Sequence, residues 1–307
     1  MPGGRSDTTA DRTQAAIGAV IFDRLKLQAA VRHACELDVK ALKPGNVSVD
    51  SPGSGMAAAD FLASAEAIAE PITAPGLGVG ERIYRAVAAT QRAVGCNTNL
   101  GIVMLLAPII CATELAGSKG ESLESNLIDV LNNLTQADAD WTYRAIRLAK
   151  PGGMGTSVRY DIAEPPTVTL LQAMQAARAR DQIARLYTTG YQRLLQRGVP
   201  VWRQALQRWA SEEWAMTAVF LNYLAQENDS LISRKFGVHA SRRVSDAAMR
   251  HCQVMNQLDD PSQIRAALSE WDRDLKRDGL NPGTTADISV ATVLLAGLQE
   301  ITTKANE

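Results

Sequence analysis

Leu100-Gly101-Ile102-Val103-Met104-Leu105-Leu106-Ala107-Pro108-Ile109-Ile110-Cys111-Ala112-Thr113-Glu114-Leu115-Ala116 is the strongest apolar run of the chain. A membrane span needs about 20 mostly apolar residues, and this run is shorter, with Pro108 and Glu114 inside it. It reads as a helix buried on all sides within a helical protein. Outward from it, helical periodicity dominates, and Thr167-Val168-Thr169 is the only short β-like patch. Helices are expected near 14–41, 56–70, 79–95, 99–117, 121–132, 137–149, 169–197, 201–227, 240–258, 261–278 and 285–304. The fold class is all-α: one multi-helix globular domain, residues 14–307, behind a flexible N-terminal tail, 1–13. Glu164-Pro165-Pro166 is a possible break, but no internal repeat marks two independent cores.

Four glycine-rich turns carry the polar chemistry between these helices. They are Lys43-Pro44-Gly45-Asn46, Asn97-Thr98-Asn99-Leu100-Gly101, Lys150-Pro151-Gly152-Gly153-Met154-Gly155 and Asn281-Pro282-Gly283-Thr284-Thr285-Ala286-Asp287. Glycine and proline at a helix boundary turn the chain sharply, and a helix then opens with free N–H groups and its positive dipole end. Four such corners in one chain suggest a central cavity for a phosphorylated ligand. Asn97 or Thr98 is placed to cap the apolar helix, and Thr284 or Thr285 the last one, with Asp287 expected in its first turn.

Composition narrows the class. The chain has 307 residues, 46 % hydrophobic and 21 % charged, with net charge −1. That is a globular composition without the basic excess of a general nucleic-acid or membrane-surface binder. Cys35, Cys96, Cys111 and Cys252 show no CxxC spacing, so a reducing, cytoplasmic setting is expected. Three histidines without metal-type spacing argue against zinc, while a carboxylate-held magnesium stays open. The polar first eleven residues contain no secretory signal.

Taken in order, the corners and their neighbours resemble the triphosphoribosyl-dephospho-coenzyme A synthase family. The residues carrying the resemblance are Glu36 with Lys43-Pro44-Gly45-Asn46-Val47, Asp60-Phe61 with Ser64-Ala65, and Asn97-Thr98-Asn99-Leu100-Gly101. Tyr143-Arg144-Ala145-Ile146-Arg147 follows, leading into Pro151-Gly152-Gly153-Met154-Gly155. Asp229-Ser230 with Arg234 and Gly237, and Asn281 to Asp287, complete the set. The resemblance implies an all-helical enzyme that moves a triphosphoribosyl group from ATP to a hydroxyl of dephospho-coenzyme A and releases adenine. There are two departures. Members in the citrate and malonate systems place a histidine and an aspartate before the methionine matching Met56, where this chain has Gly53-Ser54-Gly55. They also read Asn-Thr-His-Lys-Gly where this chain reads Asn97 to Gly101. Two alternatives therefore stand beside the main reading. One is phosphoribosyl transfer from phosphoribosyl pyrophosphate to another alcohol in cofactor biosynthesis; the other is a non-catalytic nucleotide-binding helical protein.

Substitution at a ribose anomeric carbon passes through a cationic sugar, which carboxylates stabilise, while magnesium, arginine and N–H groups hold phosphates. Glu36, Asp60 and Asp161 are the expected catalytic carboxylates, and Asp287 and Asp229 the expected magnesium ligands. Lys43, Gly45, Asn46, Asn97, Thr98, Asn99, Arg147, Gly152, Gly153, Gly283 and Thr284 are expected to bind the substrates. Each has a plainer alternative. Glu36 can pair with Lys40 at i,i+4, and Asp60 can lie on a solvated helix face. Asp161 can be a loop residue, and Asp287 can simply compensate a helix dipole. Arg144, Arg147 and Lys150, like Arg82 and Arg85, can be solvated basic faces. Gly76-Leu77-Gly78-Val79-Gly80 has no strand before it and is not a dinucleotide motif. The expected partners are a nucleotide donor and an alcohol acceptor, with no nucleic acid or membrane; a homodimer is possible.

Overall fold

The computed structural model describes residues 8–53, 55–119, 122–152 and 159–305, with side chains described from 24 to 301 apart from 117–119. The described residues form fourteen α-helices and no strand beyond isolated bridges at Ser48–Ser51 and Gly53–Met56. The helices are α1 (Thr8–Lys40), α2 (Ala58–Ile72), α3 (Val79–Val94), α4 (Leu100–Lys119), α5 (Leu123–Asn132), α6 (Gln136–Ala149) and α7 (Leu170–Ala177). They continue with α8 (Gln182–Thr188), α9 (Val199–Trp209), α10 (Glu212–Gln226), α11 (Ser230–Phe236), α12 (Val238–Met255), α13 (Arg265–Arg277) and α14 (Gly283–Ala305). A π-turn, Leu194–Gly198, and a 3₁₀ turn, Pro261–Ile264, precede α9 and α13.

Three more helices appear than the sequence pattern predicts. The expected 169–197 helix divides where the side chain of Asp181 caps a new helix, α8, by accepting from Ala184 N at 3.0 Å. The expected 201–227 helix divides at Ala210, whose φ of 49° ends α9 before Ser211 caps α10. The seven-residue α11 is too short for periodicity to reveal. Thr167 to Thr169 is no strand: Thr169 caps α7. The first helix begins at Thr8, ahead of the expected start at 14.

The helix α4 is the hub. It packs on α2, α3, α5, α8 and α14, while α14 also contacts α1, α9, α10 and α11. From Val103 to Ile110, every side chain but Met104 is fully buried or nearly so, and Met104 keeps 8 %. Pro108 lacks the N–H that would bond the carbonyl of Met104. That orphan is met by the Tyr187 hydroxyl, which donates to Met104 O at 2.5 Å. Glu114, the charge in the run, is met by the buried Arg82, whose Nη2 lies 2.5 Å away. Arg82 also donates to Leu77 O and Ile72 O, each at 2.9 Å, so it clamps the α2–α3 turn, buried away from both the solvent and any phosphate. No described helix is long and apolar enough to cross a membrane.

Candidate active site

The four corners meet. Asn46, Asn97 to Gly101, Lys150 to Gly152 and Asn281, Gly283, Thr284, Ala286 and Asp287 line one cavity of ≈ 410 Å³. Hydrogen bonds hold the corners in place. Asn46 Nδ2 donates to Asn281 Oδ1 at 3.0 Å, joining the first corner to the last. Asn97 caps α4 by accepting from Leu100 N at 3.1 Å, and Thr98 shares a 2.6 Å hydroxyl bond with Ser64. Asn99 Oδ1 accepts from Thr90 at 3.0 Å, while its buried Nδ2, on the cavity wall, has no hydrogen-bond partner among the described residues.

The first corner works behind the wall. The Lys43 ammonium is fully buried, 3.0 Å from Asp38 Oδ1, and donates to the Asp38 carbonyl and to Asn46 Oδ1. It fixes the corner and neutralises Asp38, and it has no access to a phosphate. Gly45, at φ 82°, donates its N–H to Asp272 at 2.8 Å; a Cβ there would stand 2.6 Å from Leu280 O. Only glycine fits that approach.

The carboxylates sort sharply. Asp287 lies in the second turn of α14, which starts at Gly283, so the expected dipole compensation in the first turn does not account for it. The cap on α14 comes from another helix, not from Thr284 or Thr285. Asp229 Oδ2 accepts from Thr285 N and Thr285 Oγ1, both at 2.8 Å. Asp229 Oδ1 accepts from Leu231 N and Ile232 N, at 2.8 and 3.0 Å, so both oxygens are engaged and the group is off the cavity wall. Asp287 is the opposite case. It faces the cavity, and among the described residues no hydrogen bond or ion pair meets its carboxylate. Its pKa is pushed well above the ordinary carboxylate range, chiefly by burial and then by the charges of Asp38 and Asp229, with Lys43 opposing. Gly101 makes room for it: a Cβ at that position would lie 2.0 Å from Asp287 Oδ2.

The other expected carboxylates lie elsewhere. Glu36 pairs with Lys40 at 3.0 Å on the surface of α1, and Asp60 closes the capping box of α2 by accepting from Ala57 N at 2.8 Å. Asp161 lines a second, adjoining cavity and accepts from Ala163 N at 2.9 Å. Arg147 donates to Ile162 O and lines neither cavity; Arg144 lies over the rings of Trp141 and Tyr84. Gly153 lies outside the described residues. Gly152, Gly283 and Thr284 are on the wall as expected.

Three charged residues on the wall, Asp38, Asp181 and Lys235, carry no motif in the sequence reading, and a fourth, Arg234, was quoted there without a role. Asp38 follows Val31 and Ala34 on the buried face of α1, a spacing that was legible. Lys235 lies over Gly152, its Nζ 3.2 Å from where a Cβ would stand, which only tertiary structure reveals. Arg234, quoted with Asp229 and Ser230, pairs with Asp181 at 3.4 Å, and both line both cavities. The cavity thus holds Asp38, Asp181 and Asp287 together with Lys150, Arg234 and Lys235.

An all-helical domain whose glycine corners gather acidic and basic side chains around one cavity suits a group-transfer enzyme acting on phosphorylated substrates. The chain belongs to the ATP:dephospho-CoA triphosphoribosyl transferase family, whose model matches residues 24–306. The reaction is triphosphoribosyl transfer from ATP to dephospho-CoA. The fold is similar to that of a solved chain from Archaeoglobus fulgidus named triphosphoribosyl-dephospho-coA synthase, with a TM-score of 0.59 and 23 % identity. That likeness covers 78 % of this chain and 98 % of the other. The comparison with curated proteins gave no match.

Proposed function

We propose that the corner cavity holds the triphosphoribosyl donor, with its phosphates toward Lys150, Arg234, Lys235 and the Gly152 and Gly283 corners and its ribose toward Asp287. The observation that carries this reading is the Asp287 carboxylate: without a partner among the described residues, facing the cavity, and crowded by other acids. Such a group lacks a positive partner, and a substrate that develops a ribosyl cation supplies one. As the acceptor hydroxyl bonds to the anomeric carbon and adenine departs, the negative charge of Asp287 lowers the energy of the cationic sugar. Asn99 Nδ2, which no described residue meets, donates to a ligand oxygen on the same wall.

The residues suit magnesium in one manner only. Among the described residues no three acidic, histidine or cysteine side chains form a ready metal cage, and Asp229 has no free oxygen. They fit an ion held mainly by the donor's phosphates, with Asp287 as its single protein carboxylate. When bound, that ion would neutralise phosphate charge. A cytoplasmic setting is proposed on the four free thiols.

The test is Asp287→Asn. It keeps the side chain's size and removes its charge, so turnover should fall by about two orders of magnitude or more, with a higher magnesium concentration at half-maximal rate. Normal turnover at limiting magnesium would remove Asp287 from the reaction centre.

A further inference from the structure

The second cavity, ≈ 330 Å³, adjoins the first and shares Met104, Ile146, Asp181 and Arg234 with it. Its chemistry differs. Leu170, Met174 and the alanines of α7 give it an apolar interior, and Arg159, Tyr160 and Arg180 stand at its exposed rim. The space exists because Ala173, Ala176 and Ala177, at i, i+3 and i+4 on α7, present only methyl groups to it. Its mouth is built with strain: Tyr160 is a non-glycine residue at φ 53°. The Tyr143 hydroxyl, donating to Tyr160 O at 2.8 Å, holds it there. Backbone strain of this kind persists where surrounding contacts over-determine it, and it clusters at ligand sites.

We propose that this second cavity receives the diphosphate-linked, amphipathic pantetheine arm of the acceptor. The inference rests on the donor assignment above. A slender chain of methylene, methyl and amide groups matches an apolar channel with polar edges. The rim arginines suit a diphosphate, and Met104 and Met174 adapt to an irregular chain. With the arm inside and the diphosphate at Arg180, the neighbour of Asp181, the acceptor's ribose lies beyond the diphosphate at the shared wall beside Arg234 and Asp181, next to the donor's sugar. The bare adenine of the donor, the rival occupant, carries no charge to meet the rim arginines.

Filling the channel tests this. Ala173→Trp is compared with wild type in two measurements: titration of dephospho-CoA alone, and KM for each substrate in turnover. Ala177→Leu serves as a milder variant, read the same way if Ala173→Trp fails to fold. The expected result is about tenfold weaker dephospho-CoA binding and a KM raised to match, with the KM for ATP within about twofold of wild type. A rise in the KM for ATP with unchanged dephospho-CoA binding would give the cavity to the donor and overturn the proposal. Unchanged values for both would make it no ligand site. If wild type binds dephospho-CoA but turns nothing over, and filling still weakens binding, the donor reading fails while the cavity assignment stands.

Discussion

Asp287 and Gly101 are best understood as one device. The carboxylate lies so close to the α4 backbone that position 101 tolerates no side chain, with 2.0 Å left to a Cβ. Gly101→Ala should therefore displace Asp287, reducing kcat/KM by about tenfold or more together with some loss of stability. A fully active Gly101→Ala enzyme would show that the carboxylate's position is immaterial. The raised pKa of Asp287 has two consequences of opposite sign. Burial, then Asp38 and Asp229, disfavour its charged form in the folded state. Its stabilising contribution is therefore complete below the ordinary carboxylate range and is lost as pH rises through the raised value. Asp287→Asn should then unfold at a higher temperature than wild type at neutral pH, by about 2 °C or more, while losing turnover. Turnover itself needs the ionised form. The acidic limb of the pH–rate profile should lie above the usual carboxylate range and move to lower pH as magnesium is raised, because metal and proton compete for the group. A limb at the ordinary carboxylate value would contradict this.

At the scale of elements, the boundaries that matter are made in trans. Asp229 caps its own helix, α11, through Leu231 N and Ile232 N, and caps α14 through Thr285. Periodicity cannot show such a link, because its two ends are 56 residues apart. The sequence reading therefore gave α14 to its own threonines and Asp229 to a metal. Asp229→Ala leaves buried N–H groups at two helix starts and should cost about 3 kcal/mol in chemical denaturation, with the KM for ATP altered through the misplaced last corner. A loss below about 1 kcal/mol would mean that other groups cap α14. Helix α4, by contrast, was legible from its residues, since an apolar run of that length containing Pro108 and Glu114 has no stable place except a core that answers both. Tyr187 and Arg82 provide those answers, and neither carries a local signal of doing so.

At the scale of the molecule, four corners far apart in sequence become one wall because α4 and α14 pack together and place their N-terminal ends beside the first corner. The turns were legible as glycine and proline chemistry, and their number already suggested one shared cavity. The sorting of carboxylates needed the tertiary structure. Glu36 and Asp60 have the residue type the reaction requires, yet helix phase turns them to the surface and to a cap, while Asp38, two residues after Glu36, faces inward. The same packing leaves two adjoining cavities, one ringed by the four corners and one lined by α7. The most direct measurement incubates the purified protein with ATP, dephospho-CoA and magnesium, and follows adenine together with product mass. The account predicts one adenine released for each dephospho-CoA that gains a triphosphoribosyl group, and no adenine when either substrate is omitted. Adenine-free incubation at high enzyme concentration, or release of adenine without the coupled product, would contradict it.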